Sequence, residues 1–383
     1  LLQINKFRLL RWFCLNFHQY GGILGITELS SKMEYRKMKA AYLTGICKVE
    51  LRDAPEPKLE KPTDVLLDVE VVGMCGSDIH YYRTGRIGEM VVQYPFVVGH
   101  EFSGRVLEVG SAVTNVKVGQ RVAVDPLIWC QKCDQCLSGR EHTCRNQVFL
   151  GCPGQIQGCL CERIVMTAAS CFPVPDNVSA EQAALAEPFS IGIHTQRLGG
   201  DMTGKRVGIL GAGPIGLCTL ASCKTEGVEK VYMTDVLPER IEFAKKFGAD
   251  WAQNSQTQDI VAGIAELEPL GLDVVFECAG MQETVDQGVK LLAPGGKLVV
   301  VGIPEEERTS MIIASARRKE LTFQNVRRQN QCVAPAIEMI ATGRVELDSM
   351  MTHHFSFDEI PQAFELVEGY RDGVIKAMIN MKK

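Results

Sequence analysis

Two groups of residues in this chain have the types and spacing to hold a metal ion. Cys130, Cys133, Cys136 and Cys144 follow a C-x2-C-x2-C-x7-C pattern on one short stretch. Gln131, Lys132, Asp134, Gln135, Arg140 and Glu141 lie among them and argue against a buried apolar role. Four thiolates on one loop suit a closed tetrahedral zinc site with no open coordination position, hence a structural one. The spacing also fits an iron–sulfur loop, but nothing else in the chain points to electron transfer, so zinc is the expectation. The second group is dispersed: Cys75 in GMCGSDIH, His100 and Glu101 in GHEFSG, and Glu187 in AEPFS. Taken singly, each could be an ordinary core residue. Brought together by a fold, mixed sulfur, nitrogen and oxygen donors with a position left for water are the pattern of a catalytic zinc.

A third motif concerns a nucleotide. Gly211, Gly213, Pro214, Ile215 and Gly216 belong to GAGPIG, directly after the apolar run RVGIL and before an apolar helical segment. The motif alone is weak; strand before and helix after make it specific. The first glycine permits a tight turn, the second lets the backbone approach a pyrophosphate, and the third allows close helix–strand packing. The helix start then offers free N–H groups to the anion. Asp235 ends the next apolar run, roughly 20 residues further on, where a carboxylate accepts hydrogen bonds from the ribose hydroxyls and repels a 2′-phosphate. Arg240 follows a few residues later, placed to lie against the adenine side. The expected cofactor is NAD rather than NADP.

The elements that must position these residues fall into two rhythms. From Met38, the runs MKAAYL, DVLLDVEVVGM and FSGRVLEVG are strand-like and break at Gly, Pro and Asp, which predicts a β-barrel-like domain with long loops. A helix is expected to start near Ser179, with Glu181 in its first turn. After about residue 205, short apolar strands (RVGIL, VEKVYMTD, LDVVFECAG, GKLVVVG) alternate with helical segments (PIGLCTLASCKTEG, LPERIEFAKKFG, TVDQGVKLL). This is the signature of a parallel sheet covered on both faces. Two further helices are expected at APAIEMIATG and DEIPQAFELVEG. The fold class is therefore α/β: a Rossmann-type doubly wound parallel sheet plus a β-rich catalytic domain. The expected boundaries are a leader at 1–37, a catalytic zinc domain at 38–190, an NAD-binding domain at 191–326 and a C-terminal return to the catalytic domain at 327–383. The leader is basic and acid-poor. It is read as disordered or non-native sequence upstream of a start at Met33 or Met38, with a transit peptide as the alternative.

Composition narrows the partners. The chain has 383 residues, enough for two domains, and a formal net charge of −5, which leaves no electrostatic footprint for nucleic acid. No apolar run reaches the roughly 18 residues of a spanning helix, so no membrane partner is expected. The 15 cysteines are odd in number and partly clustered, which fits metal binding in a reducing compartment better than a disulfide framework.

Together, GHEFSGRVLEVG and GAGPIG resemble the zinc signature and the cofactor loop of the zinc-containing medium-chain alcohol dehydrogenases, over nearly all of 38–383. CGSDIHYYRTGRIGE, YPFVVGHE and AEPFSIGIH resemble the sorbitol (L-iditol), xylitol and arabinitol dehydrogenase group within that family. The resemblance implies a GroES-like catalytic domain and two zinc ions per chain. One would be held by Cys75, His100 and a carboxylate, with Glu101 and Glu187 ligating directly or through water; the other would be held by the four clustered cysteines. It also implies that Ser77, Tyr81, Phe149 and Arg327 line a pocket for a small polyol. Arg328 stands where some members have Tyr, so that part of the pocket differs. The implied activity is NAD-linked oxidation of a polyol secondary alcohol to a ketose, with Ser77 or a water held by Glu187 passing on the proton. L-Threonine 3-dehydrogenase or a general secondary alcohol dehydrogenase on the same scaffold is the alternative. A cytoplasmic homotetramer or homodimer completes the expectation.

Overall fold

The computed structural model describes residues 37–304 and 308–382. The expected leader lies outside the described residues except for Lys37, which opens the strand Lys37–Gly45.

The first part of the chain builds a seven-stranded sheet. Its main path runs Cys171–Pro173, Arg121–Val124, Glu101–Val109, Asp64–Gly73, Lys376–Asn380 and Met351–Ser356, with Arg163–Thr167 pairing off it onto Asp64–Gly73. Alternation explains the central strand: Val65, Leu67 and Val69 are buried in one core, and after a register shift Val72 continues that core while Val71 packs into the other. The strand Lys376–Asn380, from the far end of the chain, pairs antiparallel with Asp64–Gly73, aligning Met378 with Gly73. That pairing carries Lys376 into the same sheet as Glu101, which aligns with Gly73 on the other side.

The second part is a six-stranded parallel sheet in the order Trp251–Asn254, Lys230–Asp235, Arg206–Leu210, Leu272–Glu277, Leu292–Val300 and Thr322–Asn325. In sequence terms this is the order 3-2-1-4-5-6 of a doubly wound nucleotide-binding sheet. Four of these strands coincide with the apolar runs read from sequence. The two edge strands, WAQN and TFQN, are short and polar and carry no apolar run. The fourth predicted strand also begins earlier than expected, at Leu292.

The helix Ala180–Gly199 joins the two parts. It starts where the sequence placed it: the Ser179 side chain accepts from the Gln182 backbone, Gln182 reaches back in a capping box, and Glu181 sits in the first turn. It packs on the strands Asp64–Gly73, Glu101–Val109 and Arg121–Val124 on one side and on the helix Pro214–Thr225 on the other. Position 190, taken as a boundary from sequence, falls inside this continuous helix. Among the described residues, no helix is long and apolar enough to cross a membrane.

Candidate active site

The fold brings Cys75, His100 and Glu101 together: one ligand atom from each lies within 4.8 Å of the others. Cys75 is the N-cap of the helix Gly76–Thr84, while His100 and Glu101 stand at the start of a sheet strand. Asp78 ties the two pieces together. Its Oδ2 accepts from the Cys75 backbone at 3.1 Å, and its Oδ1 accepts from the Gly99 backbone at 3.1 Å and faces His100 Nδ1 at 3.5 Å. A carboxylate behind an imidazole fixes its tautomer and orientation and raises its basicity as a ligand. Burial opposes a charge on His100, but Asp78 and Cys75 outweigh it and hold its pKa well above the usual value.

Sequence reading missed Asp78, although its position three residues after an N-cap is a recognisable capping signal. It also missed Lys376. This lysine is 2% exposed, donates to the Met74 carbonyl at 2.9 Å and pairs with Glu101 Oε2. The signal was there, a lone cation in the apolar strand KAMIN. Burial works against its charge, but Glu101, Cys75 and Glu187 overcome it and raise its pKa. Glu101 is therefore a carboxylate shared between a buried ammonium and a potential metal.

Glu187 is not part of the converged trio. It is buried on the linking helix. Burial first, then the nearby Glu101 and Asp125 charges, push its carboxyl up to about 8 against the pull of His100 and Lys376. Thiol, imidazole and carboxylate oxygen clustered in this way are the donor set that zinc takes in catalytic sites, so the residues fit the ion.

The four clustered cysteines also converge within 4.8 Å. Cys130–Cys136, Cys133–Cys136 and Cys133–Cys144 sulfur pairs stand 4.0, 3.5 and 3.8 Å apart. Zinc–sulfur bonds of about 2.3 Å in a tetrahedron require sulfur–sulfur edges of about 3.8 Å, so this set fits zinc as well. Backbone N–H groups of Lys132 and Cys133 point at Cys130 and outweigh burial, bringing its thiol down to about 6. Cys144 accepts from the Cys130 and Asn146 backbones at 3.3 and 3.4 Å.

The pocket residues fall differently. Ser77 is half-buried in the first turn of the helix Gly76–Thr84. Tyr81 is buried, its hydroxyl 3.9 Å from both Met90 Sδ and Cys152 Sγ. The Phe149 ring lies 5.3 Å from the His100 ring. Arg327 is exposed and makes no hydrogen bond or ion pair with the described residues. Its neighbour Arg328 instead turns inward, its guanidinium 3.5 Å above the Phe149 ring and donating to Gln147 Oε1 at 3.0 Å.

The glycine loop sits at the C-terminal end of Arg206–Leu210, where the strand order reverses. Gly211 takes φ +111, and a Cβ on Gly216 would meet the Gly211 carbonyl at 1.9 Å, so neither position tolerates a side chain. Pro214 and Ile215 open the following helix. Asp235 Oδ2 accepts from the Ala212 backbone at 2.8 Å, and Oδ1 accepts from the Val236 and Leu237 backbones at 2.8 and 3.0 Å, which aims the carboxylate at the loop. Arg240 Nη1 stands 3.8 Å from Asp235, with its guanidinium 4.9 Å over the Tyr370 ring. Cys218, one turn into the same helix, feels the charges of Lys376, Glu101 and Glu187. The helix that follows the nucleotide loop packs directly on the linking helix, where Gly192 meets the Cys218 backbone five residues beyond Glu187, so the loop's helix and the metal-ligating region are neighbours.

A mixed-donor metal site alongside a dinucleotide loop defines a metal-dependent oxidoreductase. The comparisons with known proteins agree. Residues 61–176 match the alcohol dehydrogenase GroES-like domain and residues 214–342 match zinc-binding dehydrogenase. The sorbitol dehydrogenase of Bacillus subtilis (strain 168) is 34% identical over 345 residues, covering 90% of this chain and 97% of that protein. The L-idonate 5-dehydrogenase of Vitis vinifera is 34% identical over 360 residues, covering 92% and 97%. A crystal structure of an Escherichia coli oxidoreductase/dehydrogenase of unknown specificity superposes with a TM-score of 0.85 at 33% identity, covering 91% of this chain and all of that one. This chain belongs to the zinc-dependent medium-chain alcohol dehydrogenases, and relatives named as sorbitol dehydrogenase, D-xylulose reductase and L-idonate 5-dehydrogenase are among those it resembles.

Proposed function

We propose that this enzyme oxidises a secondary alcohol of an open-chain polyol to a ketone, with NAD as hydride acceptor. The convergence of Cys75, His100 and Glu101 on one point of the fold is the observation that carries the reading. When bound, zinc acts as a Lewis acid that lowers the pKa of an alcohol, and the nicotinamide takes up the hydride. The chain supplies the rest. Cys75, His100 and Glu101 hold the catalytic metal, with Glu187 reaching it through water, Asp78 orienting His100 and Lys376 balancing Glu101. Phe149 walls the reacting centre, and its ring excludes water from the imidazole side. Ser77 and Glu187 are the groups placed to take the alcohol proton. Tyr81 and Arg327 complete the pocket, the unpaired Arg327 being free to donate to substrate hydroxyls. Cys130, Cys133, Cys136 and Cys144 hold a second, structural zinc. Gly211, Gly213, Pro214, Ile215, Gly216, Asp235 and Arg240 form the cofactor site, and the Asp235 carboxylate at the loop favours NAD over NADP.

This reading assigns 38–190 with 327–383 to catalysis and 191–326 to the cofactor. The 14 described cysteines are all unpaired, which suits a cytoplasmic enzyme. For assembly we propose a homodimer or a tetramer built from it. The strand Thr322–Asn325 is an open sheet edge, and Ile303, Met311, Ile312 and Ile313 are exposed in the segment before it.

A substrate panel tests the activity. Sorbitol and xylitol reduce NAD at higher kcat/KM than ethanol or L-threonine if the reading holds; a preference for either of the latter two sinks it.

A further inference from the structure

Arg328 is the feature of the pocket that a neutral polyol does not explain. It is charged, half-buried, and has no carboxylate within ion-pair distance among the described residues. Among the described residues it makes one hydrogen bond, to Gln147 Oε1 at 3.0 Å, and lies on the face of Phe149. Burial first, then the like charge of Arg327, bring its pKa down to about 9, still protonated at neutral pH. Two buried acids, Glu187 and Asp125, act on it from beyond ion-pair distance, and Asp125 is already engaged: Gln329 donates to its Oδ2 at 2.6 Å and the Leu127 backbone to its Oδ1 at 2.9 Å. A partly desolvated cation with no carboxylate in ion-pair contact loses hydration that is not repaid, and such groups are otherwise paired. The chain also holds Arg328 at φ +53, a left-handed conformation unfavourable for a side chain of this size. Two costs at one residue beside the proposed reacting centre indicate a partner that arrives from outside.

The geometry describes that partner. A guanidinium has five donors in a planar fork, and Gln147 engages one nitrogen, so the remainder of the fork matches the paired oxygens of a carboxylate or a phosphate. Both groups touch the Phe149 ring, the guanidinium 3.5 Å and the His100 imidazole 5.3 Å from its centroid, so they lie less than about 9 Å apart. An open chain of a few carbons therefore spans from the metal site to Arg328.

We infer that the substrate is a polyol carrying an anionic end, a carboxylate or a phosphate monoester, which Arg328 binds while the secondary alcohol near His100 is oxidised. This rests on the polyol reading above and deepens it. The reaction balances as before: the carbinol C–H leaves as hydride to NAD, the O–H proton goes to solvent, a C=O forms, and the anionic group is unchanged.

The test uses the full-length, zinc-loaded enzyme with matched substrates: sorbitol, gluconate, L-idonate and sorbitol 6-phosphate, with xylitol, ethanol and L-threonine beside them. The wild type is expected to show kcat/KM at least about tenfold higher for an acid or a phosphate ester than for the neutral polyols. Preference for the aldonates assigns a carboxylate, and preference for the ester assigns a phosphate. Arg328→Gln is expected to lower the ratio of anionic to neutral efficiency at least tenfold, and Arg328→Lys to restore part of it, with melting temperatures checking that both variants fold. Neutral polyols turned over as well as the anionic ones by the wild type, or an unchanged ratio in Arg328→Gln, overturns the inference while leaving the polyol reading intact. Turnover of ethanol or L-threonine with no polyol oxidised, neutral or anionic, removes both.

Discussion

Cys75, His100 and Glu101 are ordinary residues until Asp78 and Lys376 are added. Asp78 joins a helix cap to the His100 ring, and Lys376 supplies a buried positive charge that Glu101 needs if no metal takes it. The same dependence on neighbours holds at the four-cysteine loop, where backbone N–H groups lower the Cys130 thiol toward the thiolate that zinc requires. Because a structural zinc contributes folding free energy directly, Cys130→Ser or Cys144→Ser should lower the melting temperature and reduce bound zinc from two ions per chain toward one. Metal analysis with calorimetry reads this, and full stability with selectively lost turnover would contradict the structural role. At the nucleotide loop, Asp235→Ser removes the hydrogen bonds proposed for the ribose and the repulsion of a 2′-phosphate. Preference for NAD over NADP should fall by roughly 1.5–3 kcal/mol, about ten- to a hundredfold in the ratio of kcat/KM values. An unchanged ratio would shift the determinant to Arg240 and its surroundings.

At the scale of elements, the helix Ala180–Gly199 is the part that couples the sites. Two turns beyond Glu187 it carries His194, buried edge-on against His142 from the cysteine lobe at 5.1 Å between ring centroids. His142 Nδ1, His194 Nε2 and Asn330 Oδ1 are buried without partners, a set that one ordered water could satisfy. Burial first, then His142, Arg197 and Arg140, hold His194 down to about 4 against an ordinary 6.5. The folded state thus resists a proton that the unfolded chain accepts. Its contribution is complete above about pH 6.5 and is lost as pH falls toward 4, up to about 3 kcal/mol. His194→Gln should flatten the decline of melting temperature between those pH values. A wild-type and variant decline of equal slope would show that other groups set the acid limit.

For the whole molecule, the parallel sheet ends in a strand with an open edge. Among the described residues, Thr322–Asn325 has a strand partner only on the Leu292–Val300 side, and Ile313 is 67% exposed in the preceding segment. A pair of such edges related by a two-fold axis would continue one sheet across both subunits. Ile313→Glu should therefore reduce the assembly size measured by analytical ultracentrifugation. An unchanged mass would move the interface elsewhere.

How much was legible in sequence depended on whether a signal was local. The glycine loop, the Ser179 cap, the four-cysteine spacing and the buried strands were readable because each depends on residues a few positions apart. The edge strands WAQN and TFQN were not, because each is four residues long and buries only isolated apolar side chains, Ala252 and, in part, Trp251 and Phe323, so neither carries an apolar run. Cys75, His100, Glu101 and Glu187 could be named from their motifs, but their grouping could not be derived from spacing. The tertiary structure alone decided that Lys376, near the end of the chain, balances Glu101, that Glu187 stands apart from the converged trio, and that Arg328 rather than Arg327 turns onto Phe149. The physical reason is the same in each case: these contacts join strands and loops far apart in the chain, and their energies, desolvation against ion pairing and strain against stacking, exist only once the sheet has brought those segments together.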